Sequence, residues 1–235
     1  MPSAAKSKVS VAAKRVRLAR GEREGVIVAA AARVFADQGF GGTTREIAAR
    51  LGVTQALLYR YFPSKQALVD AVMTARFDNR WKREWDELLA DRVQPLEQRL
   101  IRFYERYRSR LDAVGMRLWV RSGLDGRQVA GRFGGQRTRR VFAPIVRELR
   151  YEAGLPDFAT RGLMRGEREI AMALHASVVF INIRKHVYRM PMPDKVDDLI
   201  ALYVRTWLPG AIAQVAAMHR PGADPALTVR VAFAG

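Results

Sequence analysis

The sequence predicts an all-α chain of about nine helices, with a three-helix unit near the N-terminus and a larger helical unit after it. Three observations carry this expectation. Apolar residues recur at i, i+3 and i+4 in segment after segment, and strand-like alternation is not evident. Gly and Pro fall between those segments more often than inside them. The 235 residues are 49% apolar, enough to bury a full core in one large or two small domains.

Each element has its own signals. Residues 1–21 are rich in Ala, Ser, Lys and Arg with no apolar period, which predicts a flexible basic arm. Helix 1 is expected from about Glu22 to Gln38, with Ile27, Ala31, Val34 and Phe35 on one face and Gly39 past its end. Thr43-Thr44-Arg45-Glu46 reads as a capping box that opens helix 2, which ends before Gly52. Thr54 caps helix 3, which places Leu58 and Phe62 on one face and stops at Pro63. A fourth helix opens at Ser64 and can be followed through Trp81 and Trp85 to about Asp91. Pro95 opens the next helix, to about Leu111, and a short one covers Ala113 to Ser122. Helices follow at 128–153, about 162–188, and 196–218, the last bent or broken at Pro209-Gly210. Residues 220–235 read as a loose tail. The domain boundaries that follow are 22–68 for the N-terminal unit and 69–219 for the larger one.

Composition removes several classes of function. Without cysteine, disulfide scaffolds, thiolate metal sites and cysteine nucleophiles are impossible. No Gly-rich phosphate loop, G-x-S-x-G or paired-carboxylate motif occurs, so no enzymatic activity and no cofactor is expected. Apolar runs are short, and the basic start is not followed by a signal-peptide core, so a soluble, cytoplasmic protein is expected. The net charge is +18, which favours a polyanionic partner. Position sharpens this. Residues 1–65 hold 12 Lys+Arg against 4 Asp+Glu, roughly twice the net positive charge per residue of the remainder. Of the 41 basic residues 34 are Arg, a bias that codon usage can produce as readily as phosphate binding.

Cap, glycine turn and cap at this spacing form a helix-turn-helix unit over residues 43–62. In such a unit the second helix braces on the DNA backbone and the third presents its N-terminal side chains to the major groove. Ile47, Ala48 and Leu51 are expected to pack against Val53, Leu58 and Phe62, which leaves Gln55, Ala56, Leu57, Tyr59 and Tyr61 for the outer surface. A carboxamide at Gln55 can pair with the N6/N7 edge of adenine, and Leu57 can meet a thymine methyl. Lys6, Lys8, Lys14, Arg15 and Arg17 of the arm can follow phosphates or enter a minor groove.

Residues 24–72, with the run L-Y-R-Y-F-P-S-K after a G-V-T turn, resemble the DNA-binding domain of the TetR family of transcriptional regulators. The resemblance implies that Thr44 and Arg45 touch phosphate and base. It makes Gln55, Ala56, Leu57, Tyr59 and Tyr61 the recognition-helix set, with Lys65 as a phosphate anchor. The caps Thr43 and Thr54 complete the candidate interface. One departure stands out: Gly39-Phe40-Gly41-Gly42 is a residue shorter than the usual G-[FY]-x-x-T approach to helix 2, with Gly42 where Thr is common.

For the larger half, the resemblance implies an all-helical ligand-binding and dimerisation domain, paired through its last two long helices, with a small-molecule cavity among helices 4 to 7. Ala171, Ala173, Ala176, Ser177, Val178 and Phe180 with Leu199, Leu202, Tyr203 and Trp207 suit a four-helix interface. Trp81, Trp85, Phe103, Tyr107, Met116, Trp119 and Met172 are the pocket-wall candidates, each also compatible with ordinary core. Arg99, Arg102, Arg106, Arg110, Arg117 and Arg121 recur at helical spacing, either as a solvated face or lining an anionic-ligand site. His175 and His186 share a helix face near Glu169 but lie too far apart to share an ion, so no metal site is expected. The expectation is a homodimeric, ligand-responsive repressor that binds a double-stranded operator. The alternative is a nonspecific basic architectural DNA-binding protein.

Overall fold

A computed structural model describes residues 20–77, 82–125, 138–158, 160 and 162–230. The basic arm therefore lies outside the described residues. The architecture is all-α. The helices are α1 (Arg20–Gln38), α2 (Thr44–Arg50), α3 (Gln55–Tyr61), α4 (Lys65–Phe77), α5 (Arg83–Ala90), α6 (Leu96–Ser109) and α7 (Ala113–Leu124). A single π-helical turn, Thr138–Phe142, leads into α8 (Ala143–Glu152), followed by α9 (Arg165–His186), α10 (Val196–Met218) and the short α11 (Pro225–Thr228). The first 10 residues of the helix expected at 128–153 lie outside the described residues.

Two hydrophobic cores organise the molecule. In the first, Ala31, Val34 and Phe35 of α1 meet Ile47 of α2, Leu58 of α3 and Leu68 and Val72 of α4, all essentially without solvent exposure. Each large side chain so buried contributes about 1.5–3 kcal/mol. Leu118 of α7 belongs to this core too, so the N-terminal unit does not close on itself but is finished by a residue of the larger half. The second core is built from α5, α6, α8, α9 and α10 around Leu100, Phe103, Leu149, Leu174, Val178 and Val204.

Four expectations are corrected. The helix expected from Ser64 to Asp91 is two helices: α4 ends at Phe77, and Lys82, ahead of α5, is extended with φ −117° and ψ 131°. The apolar residues explain the interruption. Val69 packs in the first core and Trp85 in the second, so the chain turns between them to serve two cores. The second correction is that α10 runs through Pro209 without a break. Proline removes one N–H from the ladder, and Pro209 lies on the exposed side of the helix with Arg205, whose carbonyl would have received it. Third, the tail is docked as far as residue 230: the Arg165 amide donates to the Val229 carbonyl at 2.7 Å, and Met164 and Arg230 form an antiparallel bridge. Gly166 permits this approach, because a Cβ there would lie 2.7 Å from Met218 Cε and 3.1 Å from Leu227 Cβ. Fourth, α10 is long and apolar enough to satisfy the length and composition of a membrane span. Ile200, Val204, Ala211 and Val215 turn one side of it into the second core.

Candidate nucleic-acid interface

The geometry of α2 and α3 follows from local chemistry. Thr43 and Glu46 form the reciprocal capping box: the Glu46 amide donates to Thr43 Oγ1 at 3.2 Å, and the Thr43 amide to Glu46 Oε2 at 2.9 Å. The Thr43 backbone N–H, then its hydroxyl, hold the Glu46 carboxyl below the usual carboxylate range. Thr54 caps α3, its Oγ1 accepting from the Leu57 amide at 3.2 Å. Between the helices Gly52 takes φ +61°, which a glycine adopts without strain, and Val53 N–H closes the turn on the Ala48 carbonyl at 3.0 Å. Ile47, Ala48, Leu51, Val53, Leu58 and Phe62 share the first core. That leaves Gln55, Ala56, Tyr59 and Arg60 as the exposed side chains of α3.

The turn before α2 accounts for the sequence departure. Gly39, at φ +81°, ends α1 by donating to the Phe35 carbonyl at 3.0 Å. At Gly42 a Cβ would lie 2.9 Å from Val34 Cγ1, so the shortened turn presses against α1 and excludes any side chain.

On the outer face, Thr44, Gln55 and Tyr59 come together. Gln55 Nε2 donates to Thr44 Oγ1 at 2.8 Å, and the Thr44 and Tyr59 hydroxyls share a hydrogen bond of 3.2 Å. Thr44 is itself buried, so its hydroxyl orients the other two side chains. Gln55, Ala56 and Tyr59 are exposed, as is Arg45 on α2, while Leu57 is half-buried. Tyr61, expected on the outer surface, is instead half-buried and packs on the first core, because it lies on the inner side of α3 with Leu58. Lys65, also half-buried, donates from Nζ to the Gly41 carbonyl at 3.2 Å, tying the start of α4 to the α1–α2 turn.

A second set of residues, on α7, takes a role the sequence did not reveal: Arg117 and Arg121, expected as a solvated face or an anionic-ligand lining, hold α1 instead. Arg121 donates from Nε to the Ala36 carbonyl at 2.9 Å and from Nη2 to the Asp37 carbonyl at 2.7 Å. Arg117 pairs with the Asp37 carboxylate at 3.1 Å, and Asp125 accepts from the Phe40 amide at 3.4 Å. Arg76 at the end of α4 pairs at 2.8 Å with Asp112, the cap of α7. These groups fasten α7 to the C-terminal end of α1. No local signal marks them, since donors and acceptors stand about 80 residues apart in sequence.

The pocket-wall candidates divide among different places. Trp85, Phe103 and Tyr107 stand together at centroid separations of 5.7–5.9 Å. Tyr104, His175 and Phe142, which were not singled out as pocket walls, join them. Trp119 instead packs edge-on to Phe77 at 5.7 Å beside the first core. Met116 is buried in α7, Met172 is exposed, and Trp81 lies outside the described residues. Of the arginine series, Arg99 is buried against Glu148 at 2.7 Å, and Arg117 and Arg121 hold α1, so these three are structural donors. Among the described residues no group of three His, Cys, Asp or Glu side chains comes together to hold a metal ion.

Residues 27–72 match the bacterial regulatory proteins of the tetR family. Over 64 residues the chain is 44% identical to the HTH-type transcriptional activator FasR of Mycolicibacterium smegmatis, an alignment spanning 27% of this chain and 29% of FasR. The chain thus matches under a third of the length of that curated relative. The whole fold is similar to a chain from Pseudomonas aeruginosa described as a transcriptional regulator, with TM-score 0.62 and 20% identity over 87% of this chain and 97% of that one. It is also similar to a tetR-family transcriptional regulator from Streptomyces coelicolor, with TM-score 0.56 and 16% identity over 88% and 93% of the two chains. With capped α2 and α3 and the Thr44–Gln55–Tyr59 face, residues 27–72 form the N-terminal helix-turn-helix unit that matches the tetR family of bacterial regulatory proteins.

Proposed function

We propose that the protein is a cytoplasmic homodimer that represses transcription by occupying a DNA operator and is released by a small-molecule effector. The observation that carries the reading is the hydrogen-bonded patch of Thr44, Gln55 and Tyr59. It aims a carboxamide and a phenol outward from the first two turns of α3, where a major-groove reader meets base edges. Arg45 and Lys65 flank the patch as phosphate contacts, which position the helix without reading sequence.

A single unit of this size touches few bases, and a two-fold dimer reads two half-sites about 34–36 Å apart or a multiple of it. The exposed faces of α9 and α10 support the dimer. Ala173, Ala176, Ser177 and Phe180 on α9, with Leu202, Thr206, Pro209 and Ala213 on α10, form an exposed, mostly apolar surface of small residues around two large ones. This revises the expected interface, because Ala171 and Val178 are core and Trp207 is engaged within the chain, donating to the Ile170 carbonyl at 3.1 Å.

Effector response needs a link between the halves, and the α7 contacts supply one. Displacing α7 moves Arg117, Arg121 and Asp125, and with them the end of α1 and the turn that leads into Thr43. An effector changes operator affinity only by binding the two arrangements unequally.

The test is gel retardation with the protein's own upstream region in excess competitor DNA. A selective complex weakened about tenfold or more by Gln55→Ala is expected, with reporter expression rising when the protein is removed. Equal retention of unrelated DNA with steep salt dependence would instead favour the architectural reading, which the +18 charge supports. A fall in reporter expression on removal would make the protein an activator, as FasR is named.

A further inference from the structure

We propose that the aromatic cluster between α5, α6, the π-helical turn and α9 is the effector site, and that it takes a neutral, planar aromatic molecule whose hydrogen-bond acceptor is held by the Tyr104 hydroxyl. This specificity rests on the ligand-responsive reading above.

Tyr104 has no solvent exposure, and among the described residues its hydroxyl has no hydrogen-bond partner. Other buried polar side chains of the larger half have partners. Arg150 meets Glu167 through two bonds of 2.6 and 2.7 Å, and Asn182 donates to the Arg108 carbonyl at 3.3 Å. A phenylalanine would fill the same space, whereas an unsatisfied buried hydroxyl costs about 1–3 kcal/mol. An acceptor brought in by a ligand would remove this cost. Burial, and secondarily Tyr107, push the Tyr104 phenol well above its usual range, so it remains a donor at any physiological pH.

The surroundings define the rest of the ligand. Rings lie around the hydroxyl's own ring, with Phe103 at 4.8 Å edge-on and His175 at 6.1 Å, and Tyr107 and Phe142 lie 5.1 and 5.5 Å from His175. A planar aromatic guest replaces such edge-to-face contacts with offset stacking at little loss. An ion is disfavoured, because the buried charges Arg99 and Glu148, and Arg150 and Glu167, already pair with each other. Half-buried Tyr107 brings the cluster to the surface, where the Arg110 guanidinium lies 5.8 Å from the Trp85 ring centroid. The π-helical turn carrying Phe142 is a wall able to adjust, since such turns interrupt regular helix bonding and recur at functional sites.

The probe is 1-acetonaphthone, a neutral aromatic ketone with one acceptor, compared with naphthalene and with aliphatic 2-decanone. Binding is read by tryptophan fluorescence and by thermal shift of the full chain. The ketone is expected to bind saturably and more tightly than either comparison compound. Tyr104→Phe should weaken the ketone about tenfold, leave naphthalene unchanged, and leave the melting temperature of the free protein equal or higher. Tyr107→Leu should weaken both aromatic compounds alike, which keeps a test in hand if the first variant does not fold. Equal ketone affinity in Tyr104→Phe, no saturable binding of the ketone, or preference for 2-decanone overturns the proposal. Retardation of operator DNA with and without ketone separates the two readings. Tyr104-dependent binding without release of DNA upholds the site and overturns ligand-controlled repression.

Discussion

Thr44 shows how one hydroxyl serves two neighbours. It accepts from Gln55 and shares a bond with Tyr59, so a Thr44→Val change removes both bonds while keeping the side-chain volume. Operator affinity is expected to fall about five- to fiftyfold, with the melting temperature shifted by only a few degrees, measured by fluorescence anisotropy and calorimetry. Glu167 is the opposite case, a buried charge that serves stability. Burial pushes its carboxyl up, but two bonds from Arg150, the Met164 amide and His219 outweigh this and hold it below the ordinary value of 4.5. A carboxyl depressed by folding contributes stability that is complete above its unfolded value and lost as pH falls through its folded one. Thermal melts should therefore show a stability decrease below about pH 4.5 that is smaller in Glu167→Gln, and Glu167→Ala should cost about 3–5 kcal/mol at neutral pH by leaving Arg150 buried and unpaired.

The helix-turn-helix elements are set by their ends. Thr43→Ala removes one acceptor of the capping box and should destabilise the protein by about 1 kcal/mol, read by urea denaturation. Gly42→Ala is expected to cost about 1–3 kcal/mol, because the added methyl meets Val34 in the first core. Combining it with Val34→Ala should recover part of the clash cost. These features were legible because caps, glycine turns and i, i+4 faces are written within a few residues of one another. The break between α4 and α5 was not. Apolar residues on either side satisfied a helical pattern, and only their division between two cores shows that the chain changes direction.

The two halves of the molecule are joined by paired groups far apart in sequence. Arg121→Ala should loosen the end of α1 from α7. Operator affinity is expected to fall severalfold with the salt slope unchanged, since no phosphate contact is lost, and the effector-induced change in affinity should shrink. The exposed faces of α9 and α10 lead to a separate expectation. Phe180→Asp places a charge in an apolar surface, and if this surface forms the proposed dimer the variant should sediment as a monomer in analytical ultracentrifugation, with loss of tight operator binding but no loss of helix content. The density of positive charge at residues 1–65 agrees with this arrangement. Much of the arginine excess beyond it serves within the fold: Arg99, Arg117, Arg121 and Arg150 are all engaged with carboxylates or helix-end carbonyls.

From residue order alone came the helical class, the bounds of α1 to α3, and most of the exposed side chains of α3, because turns, caps and periodic faces depend on contacts within about four residues. Folding supplied the rest: the Thr44–Gln55–Tyr59 pairing, the α7 hold on α1, the docked tail, and the separation of the aromatic candidates into one cluster and several strays. Those depend on which surfaces meet across 11 to 85 residues of chain, and no local pattern encodes the partner.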